Sequence, residues 1–161
     1  MNIKREAWLS AYTDENLSIT KADIIKKFGD MSVAIKNWQL GLATETSSAE
    51  RATFVARSNG NVVGYTSPYT EDSQRRIGAL YVLPAEQGTG IGGQLLRQAV
   101  NWHGNNDSHD NIYLHVVSHN IKAIQFYEHF GFRQTGKIIP ADFDKVNQIK
   151  LLQEYEMEYA R

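Results

Sequence analysis

This sequence predicts an α/β fold, a mixed central sheet flanked by helices, and three observations carry that prediction. The spacing of apolar residues switches repeatedly between helical and strand-like along the chain. Between Leu80 and Gly93 a strand runs into a glycine-rich turn that opens a helix. No internal repeat, low-complexity run or proline-rich linker breaks the order, so the 161 residues, 42% of them hydrophobic, read as one domain spanning 1–161.

The N-terminal region reads helical. Ala7, Trp8, Ala11 and Tyr12 recur at helical spacing, then Ile24, Ile25 and Phe28, then Val33, Ala34, Asn37 and Trp38, with Gly29 and Gly41 as punctuation. After the polar stretch Thr44 to Glu50 the period shortens, and Thr53 to Ala56 and Val62 to Tyr65 form a hairpin about Asn59-Gly60-Asn61. Ile77 to Leu83 is the next strand, stopped by Pro84. A helix from Gly90 to His103 carries Ile91, Leu95, Ala99 and Trp102 on one side and ends in the polar loop Gly104 to Asp110. Strand Ile112 to Val117 follows. Ala123, Phe126, Tyr127 and Phe130 stand at i, i+3, i+4 and i+7, which makes Asn120 to Phe130 an amphipathic helix closed by Gly131. Two strands, Phe132 to Ile139 and Ile149 to Tyr159, finish the chain.

Composition narrows the function. Lys and Arg total 17 against 18 Asp and Glu, a net charge of -1 that offers no general attraction for nucleic acid or an anionic membrane. Without cysteine there is neither a disulfide framework nor a thiol to carry an acyl group, so any acyl transfer is direct. The opening Met1 to Glu6 leads into no apolar run of signal length, and no stretch approaches the ~20 apolar residues of a membrane span. A soluble, cytoplasmic protein is the expectation.

The turn from Gln87 to Gly93 is a phosphate site by construction. Backbone N–H groups at a helix start have no partner within the helix and sit at the positive end of its dipole. Glycines at 88, 90, 92 and 93 permit positive φ and close approach of an anion. A P-loop would need Gly-Lys-Ser/Thr, whereas Gly92 is followed by Gly93 and Gln94. Gly88 to Gly93 satisfies the dinucleotide pattern G-x-G-x-x-G, but the next strand ends Val116-Val117-Ser118 without the ribose-binding acid, and too few strands follow to complete that fold. The third reading takes Gln87-Gly88-Thr89-Gly90-Ile91-Gly92 as Q/R-x-x-G-x-G/A.

Here the sequence resembles the GNAT superfamily of N-acetyltransferases, whose pyrophosphate loop has this pattern after a strand like Ala79-Leu80-Tyr81-Val82. The block Asn120-Ile121-Lys122-Ala123-Ile124-Gln125-Phe126-Tyr127-Glu128-His129-Phe130-Gly131-Phe132 is similar to the family's N-x-x-A-x-x-F/L-Y-x-x-x-G-F motif, in family order and at family-like separation. The resemblance implies the GNAT fold and acetyl-CoA as co-substrate. It places Leu80, Tyr81 and Val82, the loop residues Gln87, Gly88, Thr89, Gly90, Ile91, Gly92 and Gly93, and Asn120 and Tyr127 against that molecule. The Asn matching Asn120 contacts the pantetheine arm in relatives, and the Tyr matching Tyr127 lies near the sulfur. From the residues alone, Asn120 is equally a helix cap and Tyr127 equally a core aromatic.

Acetylating an amine sets three tasks: the amine must lose a proton, negative charge on the acetyl oxygen must be held, and the departing thiolate benefits from a proton. Tyr127 suits the last. The resemblance implies a main-chain N–H near Val82, where its strand diverges from the next, for the oxygen. Many family members carry a glutamate on the strand before the loop, but Ile77-Gly78-Ala79-Leu80 has no ionisable group. His115 stands on the strand face opposite Leu114 and Val116 and titrates near neutrality. It is either the base, as the matching position is in some peptide N-terminal acetyltransferases, or a hydrogen-bonded core histidine.

Other features carry less. His103, His109, His119 and His129 form no compact ligand set, so no metal is expected. Glu154, Glu156 and Glu158 alternate with Tyr155, Met157 and Tyr159 as a solvated face that could also attract a cationic amine. Trp8 to Tyr12 resembles the first helix of small GNAT proteins, which a strand normally precedes. Either this sequence starts short of that strand or the sheet lacks it, and in the second case an uncovered sheet edge would favour a homodimer. The acceptor is a primary amine, on a small molecule or at a peptide N-terminus, and its identity depends on the N-terminal helices and the loop Pro140 to Gln148. The alternatives are a non-catalytic acyl-CoA-binding module on the same scaffold and, further off, an NAD(P)-dependent dehydrogenase.

Overall fold

The structure, a computed structural model, describes residues 3–11, 13, 19–28, 50–104, 111–140 and 153–160. The expected helix about Val33 to Trp38 and nearly all of the loop Pro140 to Gln148 lie outside the described residues. In chain order come α1 (Ile3–Ala11), α2 (Lys21–Phe28), β1 (Phe54–Ser58), β2 (Asn61–Glu71), β3 (Gln74–Val82), a 3-10 turn (Pro84–Glu86), α3 (Ile91–Gly104), β4 (Ile112–Val117), α4 (Ile121–His129), β5 (Arg133–Pro140) and β6 (Gln153–Tyr159).

The six strands form one mixed sheet in the order β1-β2-β3-β4-β6-β5. The first three are an antiparallel meander, β3 and β4 are parallel with α3 between them, and β6 inserts antiparallel between β4 and β5. That antiparallel neighbour of β4 rules out the doubly wound parallel sheet that a dinucleotide reading of the glycine loop requires.

Both hairpins of the meander close through two-residue turns with positive φ at each central residue. The first is Asn59-Gly60, with φ of 49° and 79°, where the sequence placed it. The second is Asp72-Ser73, with φ of 48° and 63°, and it extends β2 past the expected end at Tyr65 and starts β3 before the expected Ile77. Its residues lack the glycine that signals such turns, and Pro68 reads as a strand breaker. Pro68 is accommodated beside a β-bulge, where Gly78 and Ala79 together stand opposite Ser67. The bulge resets the alternation of β3, so that Ile77 and Leu80 both pack toward α3 and α4 while Ala79 and Tyr81 face the other way.

Two layers of helix cover the sheet. On one face Leu96 and Ala99 of α3 and Ile124 and Tyr127 of α4 pack on Ile77, Ile112, Leu114 and Met157, with Phe132 only 1% exposed at the centre. On the other, Trp8 and Ile24 of α1 and α2 join Ile19, Val117 and Tyr81, and Trp8 Nε1 donates to the Tyr81 hydroxyl at 3.0 Å. Among the described residues no helix is long and apolar enough to cross a membrane.

Candidate active site

The parallel strands β3 and β4 are paired over only three residues, Arg75, Arg76 and Ile77 against Ile112, Tyr113 and Leu114. Beyond that point Val82, Tyr81 and Leu80 continue to pair with β2, while His115, Val116 and Val117 pair with β6. The strands therefore part, and the divergence begins after Ile77 rather than at Val82. A cavity of about 890 Å³ fills the opening and reaches both faces of the sheet. Gln87, Gly88, Gly90 and Gly92 with Phe126 and Phe130 line one mouth, and Ala7, Ser10, Ala11 and Thr13 line the other. Leu80, Tyr81, Val82, His115, Asn120 and Tyr127 line the passage.

The glycine loop is braced by its own chain. Gln87 Nε2 donates to the Val82 carbonyl at 3.3 Å, and Thr89 Oγ1 donates to the Glu86 carbonyl at 2.6 Å. Gly88 and Gly90 have φ of +80° and +87°, which an L side chain rarely adopts. Gly92 is different: a Cβ there would make ordinary contact with the Phe126 ring at 3.5 Å, on the cavity side. With the N-terminus of α3 at the rim and its first N–H groups unpaired within the helix, the loop suits an anionic pyrophosphate.

At three of the expected cofactor-contact positions the side chain, or its absence, also has a role in the fold. Thr89 and Ile91 do not line the cavity: Thr89 stitches the turn, and Ile91 packs with Val63, Tyr65 and Leu83. Gly93 is buried at the cavity wall, where a Cβ would fall 2.6 Å from Phe130 Cζ, so glycine there lets α4 approach α3. Sequence reasoning passed over two basic residues that do line the cavity, Arg97 and Lys122. The helical period gave the signal for Arg97, one turn after Gly93 on the same side of α3.

Asn120 caps α4, its Oδ1 accepting from the Ala123 N–H at 3.2 Å, and it also lines the cavity, so the amide nitrogen remains for a ligand. Tyr127 likewise is both a core aromatic and a cavity-lining residue. Its ring packs edge-on against Phe126 and Phe132 in the core, and it reaches the passage wall. Burial, with the nearby Tyr81 hydroxyl, raises the pKa of Tyr127 well above the usual phenol value, so at neutral pH it is a proton-bearing donor. Burial also pushes Tyr81 up to about 12; the Trp8 hydrogen bond opposes that shift and the Glu154 carboxylate adds to it.

His115 stands opposite Leu114 and Val116 as expected, on the α1 side of the sheet. Its pKa lies below the usual histidine value: burial lowers it, the hydrogen bond to Glu156 raises it, and Arg76 and Lys137 lower it further. The expected solvated row of glutamates is corrected at Glu156, which is 7% exposed, directly across from His115, and held by Lys137 Nζ at 3.2 Å. Burial alone would raise the Glu156 pKa, but the Lys137 and His115 hydrogen bonds outweigh it and keep it below the usual carboxylate value. His103 is a core histidine, 1% exposed with Nε2 at 3.0 Å from the Arg76 carbonyl.

A mixed sheet that parts between two parallel strands, with a glycine turn and a helix start at the gap, defines a class of α/β domain with a ligand passage through its sheet. The model of the acetyltransferase (GNAT) family matches residues 7–132, and the chain belongs to that family. Among curated proteins no sequence matches it. Among solved structures it is similar to the PaiA N-acetyltransferase of Thermoplasma acidophilum bound to coenzyme A, at 18% identity and TM-score 0.70, over 99% of this chain and 89% of that one. It is also similar to Arabidopsis thaliana Naa50 bound to the bisubstrate analogue CoA-Ac-MVNAL, at 27% identity and TM-score 0.62, over 81% and 91%. A nourseothricin acetyltransferase matches at 23% identity and TM-score 0.62 over 69% of this chain, which spans 65% of that protein's length.

Proposed function

We propose that this chain transfers an acetyl group from acetyl-CoA directly to a primary amine, on a small molecule or at a peptide N-terminus. The observation that carries the reading is that His115 and Tyr127 line one passage whose mouth is the glycine loop. Gln87 to Gly92, with Arg97 and Lys122, would hold the phosphates, and Asn120 the pantetheine arm. The bound thioester supplies the activated acetyl group. His115 takes the amine's proton, main-chain N–H groups of β3 freed by the divergence hold the acetyl oxygen, and the Tyr127 hydroxyl meets the charge developing on sulfur. The mouth under α1, where the described lining residues Ala7, Ser10, Ala11 and Thr13 are uncharged, is where the amine enters.

The test is release of free CoA from acetyl-CoA in the presence of amino acids, polyamines, aminoglycosides and short peptides. Amine-dependent release is expected with at least one class. Binding of CoA without release for any acceptor would make the chain a non-catalytic acyl-CoA-binding module.

The base role of His115 predicts a pH dependence with a definite sign. The imidazole must be neutral to accept a proton, so kcat/KM falls as pH drops through its pKa, and burial places that limb below the ~6.5 of free histidine. In His115→Gln the limb should flatten while CoA binding persists. An acidic limb identical in parent and variant, with the same amine, assigns the base to another group.

A further inference from the structure

On the α1 face of the sheet, side chains from adjacent strands form a row of charged and titratable groups across β3, β4, β6 and β5. Arg76 Nη1 lies 3.3 Å from His115 Nε2, and the same Nε2 lies 3.4 Å from Glu156 Oε2. That carboxylate oxygen accepts from Lys137 Nζ at 3.2 Å, and Thr135 Oγ1 stands 3.3 Å from Oε1. At the other end Arg76 Nη2 donates to Gln74 Oε1 at 2.5 Å. His115 Nδ1 faces Glu154 Oε2 at 4.0 Å, and the cavity-lining residues of α1 are uncharged.

Nε2 cannot serve both neighbours at once. Protonated, it donates to Glu156 and has no lone pair for the guanidinium; bare, it accepts from Arg76 and opposes the carboxylate lone pairs. In the first arrangement the lone pair of the neutral ring is on Nδ1, available to take a proton. In the second Nε2 is closed by Arg76, and a proton can arrive there only if the guanidinium moves away. Once a proton is taken, the imidazolium has Glu156 on one side and Glu154 on the other, opposed by Arg76 and Lys137.

We propose that Glu156 and Arg76 are positioning residues that compete for Nε2 of His115, Glu156 holding the tautomer that frees Nδ1 for the amine's proton and Arg76 holding the one that withdraws it. This rests on the base role of His115 for its catalytic meaning, but the competition can be measured without turnover.

The experiment is NMR of the full chain with labelled histidine, reading the ring nitrogens for the tautomer and the Cε1 proton for the titration, in parent, Glu156→Gln and Arg76→Met. Glu156→Gln removes an anion and should lower the pH at which His115 titrates. Arg76→Met removes a cation and should raise that pH and shift the neutral ring toward Nε2–H. The two charges alone would move the titration in opposite directions, so the tautomer read from the ring nitrogens is what shows that they compete for Nε2. Should Glu156→Gln fail to fold, Arg76→Met, at a more exposed position, carries the test alone through its tautomer shift. Unmoved readings, or movement in the same direction in both variants, overturn the proposal whatever the activity. The acidic limb of kcat/KM should follow the NMR titration in each variant. If the titration moves and the limb does not, His115 is not the base and the catalytic part of the proposal falls with it.

Discussion

Tyr127→Phe is expected to lower kcat by about a hundredfold or more while leaving CoA affinity within a fewfold of the parent. The ring contacts with Phe126 and Phe132 survive, so the helix and core stay in place and only the hydroxyl in the passage is lost. A thiol titrates at ~8.5, below an ordinary phenol at ~10, and burial raises Tyr127 further. Complete transfer of its proton to a free thiolate is therefore uphill. The hydroxyl acts by hydrogen bonding to charge as it develops, and it should impose no basic limb on the rate across the neutral range. Steady-state kinetics across pH, with calorimetry for CoA, check this. Turnover within a fewfold of the parent at every pH would leave Tyr127 a core residue only.

Gly92→Val is expected to weaken CoA binding by about a hundredfold, the equivalent of losing one or two charge-assisted hydrogen bonds to phosphate. Gly92 is the informative glycine because its replacement separates obstruction from strain. Valine at Gly90 would sit at φ of +87°, in a left-handed region that costs about 1–2 kcal/mol, and its Cβ would meet nothing within 4 Å. At Gly92 no such φ is imposed, and the new Cβ stands at the cavity wall with only ordinary contact to Phe126. The melting temperature should hold, because valine is a better helix residue than glycine. Unchanged CoA affinity in folded Gly92→Val would remove the phosphate reading of the loop.

Local signals made part of this legible in the sequence. Asn59-Gly60 announces its turn because glycine and asparagine tolerate positive φ, whereas Asp72-Ser73 adopts the same geometry without that mark. The glycine loop and the helix from Asn120 were readable because each packs its chemistry into one contiguous segment. Insertion of β6 between β4 and β5 is a long-range pairing that no local pattern encodes. The burial of Glu156 was hidden for the same reason. Glu alternating with Tyr and Met reads as a wet face until the cross-strand neighbours, His115 and Lys137, are known. Thr89 and Ile91 matched a motif by position, yet their side chains serve the turn and a neighbouring cluster.

The short β3–β4 ladder makes the sheet mechanically two plates joined along a seam of three residue pairs. One plate is the meander β1–β3; the other is β4, β6 and β5. A molecule lying in the gap touches both and acts as a splint, so its binding energy resists their separation directly. At a hundred times its dissociation constant a ligand adds about 2.7 kcal/mol to the stability of the form that binds it. Amides of Gly78 to Val82 and of His115 to Val117, on opposite lips of the seam, should then slow their hydrogen exchange together when CoA is added, even though no ladder pair joins them.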